Sequence, residues 1–172
     1  NQHSHDVHGN GIYKNGQFSF VLLADIATDT EIKFTDRGWR GSAFVSGSNN
    51  NEGILTWTST GAMSGGTQVV ITIDHSSPYG LPTATQGNVT STHNFKLKEN
   101  KGDQILAYQG SSSSPTFLFA VNWHDKWSGA NKKEETEVPT GLTEAINALR
   151  INDEKAHAYY NCSVEQTTSL IL

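Results

Sequence analysis

The run "QGSSSSPTFLFAVNW", residues 109–123, decides the fold. Four serines and a proline mark a turn. Beyond them, counting back from Trp123 by twos meets Val121, Phe119 and Phe117, all apolar. A period of two belongs to a strand that buries one face. The same period recurs through the chain. "GQFSFVLLAD" (16–25) puts Phe18, Phe20 and Leu22 on one face, backed by Val21 and Leu23. "EIKFTD" carries Ile32 and Phe34, "GILTWT" Leu55 and Trp57, "TQVVITID" Val69, Ile71 and Ile73, and "NFKLK" Phe95 and Leu97. "DQILAYQG" (103–110) is a further short segment of this kind. Gly-, Asn- and Ser-rich turns such as "GAMSGGTQ" and "ENKGDQ" separate these segments. Residues 75–92, with Pro78, Gly80 and Pro82, read as a long surface excursion.

Composition agrees with an all-β chain. Of 172 residues, 35% are hydrophobic and 17% charged, against roughly 45–50% apolar (counting Gly) and about 25% charged in ordinary domains. Ser, Thr, Asn and Gly fill the gap. The expectation is a two-sheet antiparallel sandwich of roughly eight to ten strands, occupying residues 17–172 as a single domain after a polar, His-rich segment 1–16. One stretch has helical spacing. In "GLTEAINALR" (141–150), Leu142, Ile146 and Leu149 fall at i, i+4 and i+7, so a short helix near 142–150 competes with a strand there.

Charge and cysteine content exclude several classes. The formal net charge is -5, and Lys132-Lys133 is followed at once by Glu134-Glu135, so nucleic acid is disfavoured as a partner. A single cysteine, Cys162, rules out an intrachain disulfide and leaves an interchain one open. No apolar run is long enough for a spanning helix. The chain begins at Asn1 rather than Met, which reads as a processed start or an artificial cut. Sequons stand at Asn88 and Asn161. Together these lean toward a secreted, extracellular glycoprotein.

The order of the segments "FSFVLLADIATDTEIKFTDRGW", "EGILTWT", "GGTQVVITI", "FKLKENKGDQILAYQGSSSSPTFLFAVNW" and "PTGLT" resembles a β-sandwich module of secreted and surface multidomain proteins, mostly bacterial. It is distantly similar to the lamin-tail, immunoglobulin-like sandwich. The resemblance spans roughly residues 17–161 and rests mainly on "FTDRGW" and "GDQILAYQG". It implies an extracellular sandwich and carries no catalytic set. The His-rich start, "HDKWSGANKKEETE" and the short C-terminus depart from the pattern, and specific function is expected there.

Several clusters are candidate sites. On a regular strand Trp123, Asp125 and Trp127 share a face, with His124 and Lys126 opposite. Either Trp123 closes the core and the chain turns away, or the two indoles form a platform for a sugar ring or small ligand. Trp39 with Asp36 extends the ligand-binding set to Trp39, Trp123, Trp127, Asp36 and Asp125. Asp36 and Glu52, with Asn49, Asn50 and Asn51, offer oxygen ligands to calcium; the plainer alternative is a hairpin loop with an Arg–Asp surface pair. Asp25, Asp29, Asp74 and Asp103 are no better placed. His3, His5 and His8 beside Asp6 could hold copper.

Three functions follow. The first is a secreted non-enzymatic module that binds carbohydrate or a surface partner and could self-assemble into a homo-oligomer. The second is a secreted enzyme on a small organic substrate in an aromatic pocket near 123–127. There His124 is the acid or base, Asp125 its orienting partner and Lys126 a charge stabiliser. Adjacent residues on a strand point apart, which weighs against it. The third is a filament or coat subunit, suggested by the double-faced apolar strand 18–24.

Overall fold

The computed structural model describes residues 7–8, 12–13, 15–45, 52–74, 81–92, 95–97, 102–124, 126–129 and 135–151. Eleven strand segments form among them: β1 (Val7–His8), β2 (Ile12–Tyr13), β3 (Asn15–Val21), β4 (Glu31–Thr35), β5 (Ile54–Thr58), β6 (Gln68–Asp74), β7 (Thr83–Ala84), β8 (Asn88–Thr92), β9 (Gln104–Ser111), β10 (Ser114–Asn122) and β11 (Ala148–Arg150). A six-stranded sheet runs β11-β10-β9-β4-β5-β8, a three-stranded sheet runs β3-β6-β7, and β1 pairs with β2 as a separate two-stranded ribbon. Every pairing is antiparallel except β10 with β11. The chain is a two-sheet, all-β sandwich.

The inner faces of the two sheets meet in a core of Leu22, Phe34, Leu55, Trp57, Val69, Ile71, Ile73, Phe95, Leu97 and Trp123. Aromatic rings bridge the sheets: Phe18 meets Phe34 at 5.0 Å and Phe20 meets Trp57 at 5.2 Å, both edge-on. Leu55, Trp57, Val69 and Ile71 are wholly buried, and aliphatic burial of this kind contributes about 1.5–3 kcal/mol per side chain. The Trp57 indole N–H donates to the Gln86 carbonyl at 2.7 Å, so the largest core side chain leaves no polar atom unmet.

The larger sheet is covered on its other face as well. Leu106, Tyr108, Phe117, Ala120 and Ala148 pack there with Trp39 and Phe44, and Trp127, Val138 and Leu142 close over them. A bulge at Leu118 makes this possible. Phe117 pairs with Tyr108, but Phe119 pairs with Ala107, so the extra residue flips the alternation. Phe117 therefore lies in the second core. The period-two run back from Trp123 holds for Val121 and Phe119 and breaks at Phe117.

Other expectations change for similar reasons. No helix forms among the described residues. At 142–150 the chain makes one turn, in which the Thr143 carbonyl accepts from the N–H groups of Ile146, Asn147 and Ala148, and then becomes β11. Ala145 sits at φ 66, outside helical geometry. The stretch 75–92 is not all excursion, since β7 and β8 arise within it and Val89 packs on the inter-sheet core. "NFKLK" keeps its buried Phe95 and Leu97 but forms no strand over 95–97. The strand β3 is an edge of its sheet, and the second apolar face of 18–24 lies open: Val21 is 49% and Leu23 84% exposed.

Candidate functional site

The corner that follows β10 is built by one buried amide. Asn122 is fully buried. Its Oδ1 accepts from the His124 backbone N–H at 2.7 Å, and its Nδ2 donates to the Lys126 carbonyl at 3.2 Å. An Asn that caps the N–H two residues on makes an Asx turn, which ends a strand and redirects the chain. The Trp123 N–H still bonds the Asp103 carbonyl at 2.9 Å, and the Ser128 N–H bonds the Thr136 carbonyl at 3.1 Å. Between those two bonds the chain turns the end of the sheet. Gly102, at φ 67, supports the corner from the segment just before β9. A Cβ there would stand 2.6 Å from His124 Cα and 2.8 Å from the Trp123 carbonyl oxygen.

This turn separates the two tryptophans. Trp123 is 6% exposed and belongs to the inter-sheet core, whereas Trp127 packs half-buried against the second core. The rings lie on opposite faces of the six-stranded sheet and form no shared platform. A straight strand would have put them on one face; the Asx turn prevents it. Lys126 is exposed and His124 half-buried. Asp125 lies outside the described residues. Among the described residues, two polar atoms at the corner, His124 Nδ1 and Trp127 Nε1, are shielded from water and have no hydrogen-bond partner.

Trp39 is also core. It is 4% exposed and stacks edge-on against Phe117 at 4.8 Å and Phe44 at 5.1 Å. Its backbone N–H bonds Thr136 Oγ1, and its carbonyl accepts from the Glu137 N–H. The 135–140 segment thus lays a lid over a ring that the sequence assigns to ligand contact.

Asp36 is a structural clamp. It is 1% exposed, Oδ1 accepts from the Gly53 N–H at 2.9 Å, and Oδ2 accepts from the Lys96 N–H at 2.9 Å. The Gln104 side-chain amide donates to its carbonyl. These bonds tie the ends of β4, β5 and β9 to segment 95–97, and they explain why "FKL" is held without a strand ladder. Both carboxylate oxygens are turned to backbone, away from solvent, which is the wrong orientation for a calcium or ligand anchor. The neighbouring Arg37 donates from Nη2 to the Val45 carbonyl at 2.9 Å, and its guanidinium lies 5.6 Å from the centre of the Phe44 ring.

Glu52 is buried at 8% exposure; Asn49, Asn50 and Asn51 lie outside the described residues. Asp25 accepts from the Gly65 N–H and Asp103 from the Gln104 N–H. No group of three or more His, Cys, Asp or Glu suited to a metal forms among the described residues. His3, His5, Asn161 and Cys162 lie outside them, and of His8 only the backbone is placed. Asn88 and Thr90 of the first sequon are both exposed on β8.

In the second core the Tyr108 hydroxyl is buried with no hydrogen-bond partner among the described residues. Burial raises its pKa above the ordinary tyrosine value, and the nearby Arg37 charge opposes that rise. Asn122 is the turn-forming residue that strand periodicity does not single out. An Asn at the end of an apolar run, just before polar residues, is the available signal.

No family model matches this chain, and neither does any curated protein or solved structure. No described helix is long and apolar enough to cross a membrane.

Proposed function

We propose that the protein is a secreted, non-enzymatic binding module that takes a hydroxyl-rich ligand, a carbohydrate, at the corner after β10. The observation that carries this reading is the pair of unpartnered nitrogens, His124 Nδ1 and Trp127 Nε1, on a turn fixed by Asn122. A buried polar group left unmet costs about 1–3 kcal/mol. Sugar hydroxyls both donate and accept, so they suit an indole N–H as well as an imidazole nitrogen. The half-buried Trp127 ring would add apolar contact for a sugar face, and exposed Lys126 would border it. Both nitrogens are closed to water, so binding requires residues 126–129 to yield. Affinity in the millimolar range follows from so small a contact.

The segment-order likeness to extracellular lamin-tail-type sandwiches supports secretion. So does the first sequon, where exposed Asn88 has room for a glycan.

The test is sugar titration of 15N-labelled protein from secretory expression, watching the four indole N–H signals. The Trp127 signal should move with a mono- or oligosaccharide, the Trp57 signal should stay, and Trp127→Ala should abolish binding while the fold persists. A Trp127 signal indifferent to a broad sugar panel refutes the proposal. The intact mass of the same preparation reads glycan occupancy at Asn88.

A further inference from the structure

The strand β3 is the longest sheet edge open among the described residues. It pairs with β6 on one side only, from Asn15 with Asp74 to Val21 with Gln68. Among the described residues, no backbone bond beyond that ladder reaches Asn15–Val21. The other outermost strands of the two main sheets are shorter. The edges β7 and β11 have two and three residues. The edge β8 has five and begins with the sequon asparagine. Natural edge strands are usually blunted by charge, proline, bulges or shortness. From Asn15 to Ala24 there is no charged residue and no proline, and the β3–β6 register runs without a shift. At the end of this edge Val21 is 49% and Leu23 84% exposed.

We propose that β3 is an assembly edge that pairs antiparallel with β3 of a second copy of this chain. A two-fold axis through an edge brings a strand against itself, so the strand must be self-compatible. An uncharged strand meets that condition, because no like charges oppose across the axis. A two-fold at Ser19 sets Phe18 against Phe20 and Gln17 against Val21, and the two three-stranded sheets become one continuous sheet. The pairing covers Val21 and completes the unused backbone groups of the edge. One strand per copy buries less than the ~1,200 Å² of a standard stable interface, so the dimer is a weak one with micromolar or higher dissociation constant. This surface lies on the opposite sheet from the corner after β10, and either proposal can fail without the other.

Sedimentation equilibrium from micromolar to near-millimolar chain tests this. The protein as it exists should show a monomer–dimer equilibrium. Val21→Lys and Leu23→Lys put an ammonium group at the seam and should each weaken the dimer about tenfold or more. Both side chains are solvent-exposed in the monomer, so folding survives, which circular dichroism verifies. Leu81→Lys, equally exposed at 84% but away from the β3 edge, should leave the equilibrium alone. Amide exchange of residues 15–21 should slow as concentration rises. A monomer at all concentrations overturns the proposal. So does a dimer that ignores Val21→Lys and Leu23→Lys, or one that Leu81→Lys disrupts equally. Concentration-independent protection of the outer β3 amides would also overturn it, because the chain would then cover its own edge.

Discussion

Replacing Asp36 separates a structural clamp from a ligand anchor. Its carboxylate receives two backbone N–H groups, from Gly53 and Lys96, each at 2.9 Å, at a site 1% exposed. Asp36→Asn keeps the shape and one acceptor oxygen. The other oxygen becomes an NH2 that faces a backbone donor, so one charge-assisted bond is lost and one N–H is left unmet. Hydrogen bonds to charged groups contribute about 1.5–3 kcal/mol each, and orphaned buried donors cost a similar amount. The two overlap, which puts the loss at about 2–4 kcal/mol for Asp36→Asn and about 3–5 kcal/mol for Asp36→Ala, where both N–H groups are stranded. For a chain of this size the thermal midpoint falls by about 2–4 °C per kcal/mol. Urea unfolding followed by tryptophan fluorescence measures it, since Trp57 and Trp123 are buried reporters. The same melts run with calcium and with chelator complete the assay. A loss under about 0.5 kcal/mol, the range of ordinary surface changes, refutes the clamp. A wild-type midpoint that falls with chelator also refutes it.

Two further predictions follow from buried groups. Tyr108→Phe deletes a hydroxyl that is buried without a partner, so stability should hold or rise by up to about 1 kcal/mol; a loss larger than that in a urea melt contradicts the burial. In the wild type the same hydroxyl keeps its proton above the ordinary tyrosine range because burial disfavours the phenolate. The folded form then binds the proton more tightly than the unfolded form. Stability should be unaffected by this group below about pH 10 and should decline as pH rises through its raised pKa. Alkaline melts of wild type against Tyr108→Phe, with a steeper decline in the wild type, check the sign. Gly102→Ala forces a left-handed φ on a Cβ that meets His124 Cα at 2.6 Å, so it should cost at least about 2 kcal/mol and move the His124 amide resonance; a silent variant would show that the corner does not rest on Gly102.

Much of the sandwich is legible in the sequence because a strand covering a core on one face must alternate. The segments at β3, β4, β5, β6 and β9 announce themselves that way. The strand β8 did not, because "NVTST" has one apolar residue and the rest of the alternation is polar on polar. Between the helix and the strand that compete near 142–150, the apolar spacing does not choose; it suits a turn followed by a short strand equally well, and pairing with β10 selected the strand.

The candidate site was less legible. The rings Trp39, Trp123 and Trp127 look alike in sequence, each beside polar residues. Their burial depends on what comes over them: segment 135–140 for Trp39, the smaller sheet's core for Trp123, the edge of the second core for Trp127. Several of those contacts join residues far apart in the sequence, as in the 97-residue separation of Trp39 and Thr136.

By itself the sequence determined that this chain is all-β, acidic and built from short alternating strands, because burial periodicity and turn chemistry are local. Only the tertiary structure decided which face each residue occupies beyond the Leu118 bulge, which carboxylate is a clamp, and that the two tryptophans of "WHDKW" part at the end of the sheet. A one-residue bulge or an Asx turn costs little locally and carries no strong local signal, yet it reverses the side of the sheet on which every following side chain falls.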